Sequence, residues 1–267
     1  MKTSHLVALL KNDSRMVWPC LVIAIFYTYL SATDYRQDQM FVLTPSGGAG
    51  SFLFMIPFLM WNFLFQNQGH GLKAANAPSF SSLEFMFTRA INRASLFCTK
   101  SALYLILSAL PLVLIWAYSY TAPIIRVELP YNSHQHREET KQFYLAHFEG
   151  TYLQEPDNGK NKDYVVLPKG RANQAAYIFF LAFSFTLLFQ TVLFTFARMR
   201  WLPFVTLLAF VVLLPFAGLS AKTPSLYEAS LAWVTQHTPL AFLGLGLLTV
   251  LAQLYCCRRF VNTEITS

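Results

Sequence analysis

The stretch SSLEFMFTRAINRASLFCTK, residues 81–100, is a polar and basic patch wedged between two long apolar runs, and the rest of the chain is placed relative to it. Leu83, Phe87 and Ile91 recur at i, i+4 and i+8, which predicts a short amphipathic helix. Its other side carries Glu84, Arg89, Asn92 and Arg93. A helix of this kind belongs at a membrane surface rather than inside the bilayer.

Working outward, the composition argues against a soluble domain. Of 267 residues 55% are hydrophobic and 12% charged, about half the charged share of soluble chains. Runs nearly free of charge reach the roughly 17–25 residues needed to cross a hydrocarbon core of about 30 Å. The reading is an all-α integral membrane protein with six transmembrane helices at about 16–32, 50–66, 96–120, 175–197, 201–219 and 239–257. Residues 1–15, with Leu6, Leu9 and Leu10 against Lys11, Asp13 and Arg15, predict an N-terminal interfacial helix in preference to a cleaved leader.

Charge then orients the chain. Placing both termini, the 67–95 segment with Lys100, and Arg198 and Arg200 on one side collects eleven bases and three acids there, against nine bases and ten acids on the other. The positive-inside rule makes the first side cytoplasmic. The net charge of +7 is therefore a topological signal, and no basic run interleaved with aromatics points to nucleic acid. Segment 121–173 becomes an extracytoplasmic insertion of about fifty residues between spans 3 and 4. Within it 133–148 predicts a helix, Pro156-Asp157-Asn158-Gly159 a turn, and Tyr164–Leu167 a strand. The insertion is too small for an independent enzyme domain and suits a lid or a docking surface.

Glu84-Phe85-Met86-Phe87-Thr88-Arg89-Ala90-Ile91-Asn92-Arg93, followed by Leu96 and by Lys100 at the start of a span, resembles a signature of the membrane (permease) subunit of type-2 ABC transporters. That family carries a Glu-Phe-Leu-x-Thr-Arg-Pro-x-Ser-Arg-like stretch between spans 2 and 3 and a lysine entering span 3. Ala90 stands where the family commonly has proline, and Asn92 where it commonly has serine. The resemblance implies a subunit of the bacterial cytoplasmic membrane that works with a separate ABC ATP-binding subunit. It implies pairing with a second copy of itself or with a homologous permease. The 2–3 loop would then be a coupling helix, with Glu84, Phe87, Thr88, Arg89, Arg93 and Lys100 as its coupling residues. Guanidinium and carboxylate groups on a rigid helix suit charge-assisted hydrogen bonds to such a partner.

Enzymatic readings find no footing in the sequence. Gly47-Gly48-Ala49-Gly50 is not followed by Lys and Ser/Thr, so there is no P-loop, and ATP and Mg would belong to the partner ATPase. There is no G-x-S-x-G, no CxxC and no span containing aspartate. No cofactor is expected in this chain, and His134, His136 and His147 read as solvated side chains rather than metal ligands. Cys256-Cys257, beside Arg258-Arg259, reads as buried apolar cysteine in preference to a lipidation site. Asn62, Gln66, Gln190 and Gln253 lie within spans, where they either line a translocation path or hydrogen-bond neighbouring helices. The other class of function left open is a non-transporting scaffold whose 121–173 segment docks an extracytoplasmic partner.

Overall fold

The computed structural model describes residues 92–121, 124–129, 134–154, 163–195 and 226–262, together with isolated positions Trp18, Val22, Phe26, Ile56, Pro57, Met60, Trp61, Leu64 and Phe65. Among the described residues the chain is mostly helical. Three helices are long and apolar enough to cross a membrane: α1 (Arg93–Ser119), α3 (Gly170–Thr195) and α5 (Thr238–Val261). The shortest has 24 residues and rises about 36 Å, more than a hydrocarbon core of about 30 Å requires. They fall where spans 96–120, 175–197 and 239–257 are expected. Spans 16–32, 50–66 and 201–219 and the interfacial helix at 1–15 lie outside the described residues, isolated positions apart.

Side-chain pairs fix the directions of the three helices. Phe97 meets Phe194, Ser101 meets Gln190 and Tyr104 meets Thr186, so α1 and α3 run antiparallel. Phe179 meets Phe242, Gln190 meets Gln253 and Thr195 meets Tyr255, so α3 and α5 run parallel. The N-terminus of α1 and the C-termini of α3 and α5 therefore share one end of the bundle. Arg93, Arg258 and Arg259 lie there, and we refer to it as the basic end. The core of the bundle runs through Leu96, Phe97, Tyr104, Leu112, Phe185, Phe189, Phe194, Cys256 and Phe260. Pro111 is buried inside α1, a position tolerated in apolar helices when neighbours cover the freed carbonyl.

The opposite end carries a small cap. Strands β1 (Ile125–Glu128), β2 (Tyr152–Gln154) and β3 (Tyr164–Leu167) form an antiparallel sheet in the order β1-β3-β2. Val165, Val166 and Leu167 are all buried, as a central strand covered on both faces demands. Helix α2 (His134–His147) and helix α4 (Leu226–Gln236) complete it, and Val127, Tyr144, Phe148, Val165, Tyr177, Leu231 and Val234 share one core. The Arg137–Asp163 ion pair ties α2 to the start of β3. Tyr144 Oη donates to Glu228 Oε1 at 2.8 Å, and the Tyr177 hydroxyl pairs with Ser230, which together hold α4 in place.

One expectation is corrected here. The fold is not all helical, because segment 121–173 contains a sheet whose two outer strands, three and four residues long, carry too little alternation to register in a local reading. The segment also shares its core with elements beyond it: its last residues already belong to α3, and its core is closed by α4, which begins some fifty residues further along the chain.

Candidate functional site

At the basic end, Asn92 caps α1. Its backbone is extended (φ −64°, ψ 116°), and its side-chain oxygen accepts from the Ala94 N–H at 3.0 Å. Asparagine is among the residues best suited to that role. Arg93 is the first residue of α1. Its guanidinium donates to the Val261 carbonyl at 3.2 Å, and Arg259 donates to the Thr195 carbonyl at 3.1 Å. Each arginine thus satisfies an orphan carbonyl at the end of a neighbouring helix.

Lys100 sits deeper. Only 4% of it is exposed, and Nζ donates to the Leu64 carbonyl at 2.9 Å. Leu64 and Phe65 lie in a π-helical turn, a local departure from the α-helical ladder. Trp61, Phe65, Phe97, Phe194 and Phe260 pack around this level through stacked and edge-to-face contacts of 4.6–6.0 Å. Lys100 is therefore an internal tie between α1 and the Leu64 turn and not a surface group. Glu84, Phe87, Thr88, Arg89, Asn62 and Gln66 lie outside the described residues.

One helical position beyond Lys100, α1, α3 and α5 exchange hydrogen bonds in a closed ring. Ser101 Oγ donates to Gln253 Oε1, Gln253 Nε2 donates to Gln190 Oε1 at 2.8 Å, and Gln190 Nε2 donates to Ser101 Oγ at 2.8 Å. Gln190 is fully buried and Ser101 is 3% exposed. Each member gives and receives, so the bonds polarise one another in one sense around the ring. Gln190 and Gln253 are thereby brought together between α3 and α5. Ser101 escapes the sequence reading because a lone serine in an apolar run is common; its signal would have been a depth of eight residues from the end of its helix, the same as that of Gln253. Thr186, Thr191 and Thr195 bond carbonyls on their own helix, at Ala182, Leu187 and Thr191.

Among the described residues no group of three or more histidine, cysteine, aspartate or glutamate side chains is placed to hold a metal ion. His147 Nδ1 instead meets the Phe143 carbonyl at 2.8 Å while its ring stacks on Phe143. No protein-family model, curated protein or solved structure matches the chain, so its function is argued from its own residues.

Proposed function

We propose that the chain is the membrane subunit of an ATP-driven ABC transporter, built from six spans with both termini in the cytoplasm. It couples hydrolysis by a separate ATP-binding subunit to export or to mechanical work across the bilayer. In this reading the basic end faces the cytoplasm, and the subunit pairs with a second copy or a homologous permease. One observation carries the proposal. The Lys100–Leu64 bond ties Leu64 to α1 toward the end where Arg93, Arg258 and Arg259 lie. This supports reading the Glu-Phe-x-x-Thr-Arg stretch, which falls between Leu64 and Asn92 in the sequence, as a connection at that end. A helix in that segment would transmit force to α1 through the Asn92 cap and to the bundle through Lys100.

The experiment is purification of the full-length protein from its native membrane in mild detergent, with the retained subunits identified and ATP turnover measured. An ATP-binding subunit should co-purify, and Glu84→Ala with Arg89→Ala should lower its retention or turnover at least tenfold. Absence of any ATPase, with both variants silent, would overturn the reading. A scaffold function has its own support, since the cap possesses a separate core and exposes Tyr152 and Leu153 on β2. In that case, deleting the cap would release an extracytoplasmic partner while no ATP-dependent activity is lost.

A further inference from the structure

Cys98 and Cys257 are free thiols on different spans, Cys98 on α1 and exposed, Cys257 on α5 and half-buried. Antiparallel packing brings them together. Arg93 reaches Val261, Phe97 packs on Phe260 at 5.6 Å and Ser101 bonds Gln253, so position 98 falls opposite position 257 in the same ladder. The neighbouring Cys256 turns the other way, is fully buried, and approaches Thr191 Oγ1 at 3.9 Å. Cys98 lies five residues inside the start of α1, about 7.5 Å along the axis, which keeps it near the basic end.

We infer that Cys98 and Cys257 are a dithiol oxidation site that closes to an intramolecular disulfide in the presence of hydrogen peroxide. The reactant is a small uncharged peroxide, which reaches the headgroup level where charged oxidants are held back. The exposed Cys98, as thiolate, attacks one peroxide oxygen and breaks the O–O bond, giving a sulfenic acid and hydroxide. The Cys257 sulfur then attacks Cys98 Sγ, the S–O bond breaks, and the departing hydroxide takes the Cys257 proton to leave as water. Two thiols lose two electrons, and one peroxide is reduced to two waters. The bridge pins α1 to α5 at the end where the ring of Ser101, Gln190 and Gln253 already joins them.

The test treats the full-length protein in its native membrane with hydrogen peroxide, alkylates the remaining thiols, and maps peptides without reduction. The four thiols of the chain should fall to two, with Cys98 and Cys257 in one linked peptide pair and recovery of all four after dithiothreitol. Cys256→Ser should bridge as fast as the wild type, whereas Cys98→Ser should retain an alkylatable Cys257. Four free thiols after treatment, a bridge to any other cysteine or between chains, or Cys98 carried on to sulfinic acid without bridging would each overturn the inference.

Discussion

At the scale of single residues, the bundle is held in register by a few polar groups in an apolar setting. A buried amide without a partner costs about 1–3 kcal/mol, and in a bilayer there is no water to take the place of a lost bond. The ring of Ser101, Gln190 and Gln253 avoids that cost on three helices at once. Gln190→Leu keeps the volume but removes two of the ring's bonds, leaving Ser101 on Gln253. We expect it to cost about 1–2 kcal/mol, measured by unfolding in detergent micelles. Gln253→Leu should cost as much, and the double variant distinctly less than the sum, because either substitution already opens the ring. Strict additivity would show that the bonds act independently. Lys100 follows a related logic, since its Nζ lies in the apolar core where the Leu64 carbonyl receives it.

Among the elements, the junction of cap and bundle is closely packed at Gly170. Gly170 opens α3 against β1 and the end of β3, and a Cβ there would lie 3.0 Å from Ile125 Cβ and 3.0 Å from Leu167 Cβ. Both neighbours are fixed by their strands, paired with each other in the β1–β3 register. Gly170→Ala should therefore destabilise the protein by about 1–3 kcal/mol through overpacking, read as a lower Tm and faster proteolysis of the cap. Gly244→Ala on α5, where a Cβ meets nothing within 4 Å among the described residues, should leave Tm unchanged. Equal effects at the two positions would remove the steric explanation. Helix α4 ends at Gln236, and α5 begins after His237 with Pro239 in its first turn. Proline fits there because a first-turn N–H has no intrahelical partner to lose.

For the whole molecule the distribution of charge and the direction of the helices lead to one test of orientation. Three apolar helices with a folded cap at one end and arginines at the other are compatible with a protein embedded in a membrane. If the basic end is cytoplasmic, cap and basic end lie on opposite sides of the bilayer. In a background without native cysteines, Tyr152→Cys on the exposed β2 should react with an impermeant maleimide in intact cells. Asn262→Cys, just beyond α5, should react only after the membrane is opened. Labelling of both from one side would contradict the orientation. The exposed leucines of α5, at 240, 243, 247, 251 and 254, supply the apolar surface that such embedding requires.

The sequence by itself determined where the apolar helices α1, α3 and α5 run and that Arg93, Lys100, Arg258 and Arg259 belong toward one end, because length, hydropathy and charge are properties of the local chain. It also located the helix and the central strand of the cap, whose own periodicity and apolar run announce them. What only the tertiary structure decided is which polar groups meet. The rotation of each helix about its axis is set by packing against its neighbours, and that rotation turns Ser101, Gln190 and Gln253 into one ring. The same rotation buries Lys100 against the Leu64 carbonyl and sets Cys98 beside Cys257. The two short outer strands of the cap, and the recruitment of α4 from a distant part of the chain, depend on partners remote in sequence. No local pattern of residues encodes such pairings, since their free energy appears only when the partners touch.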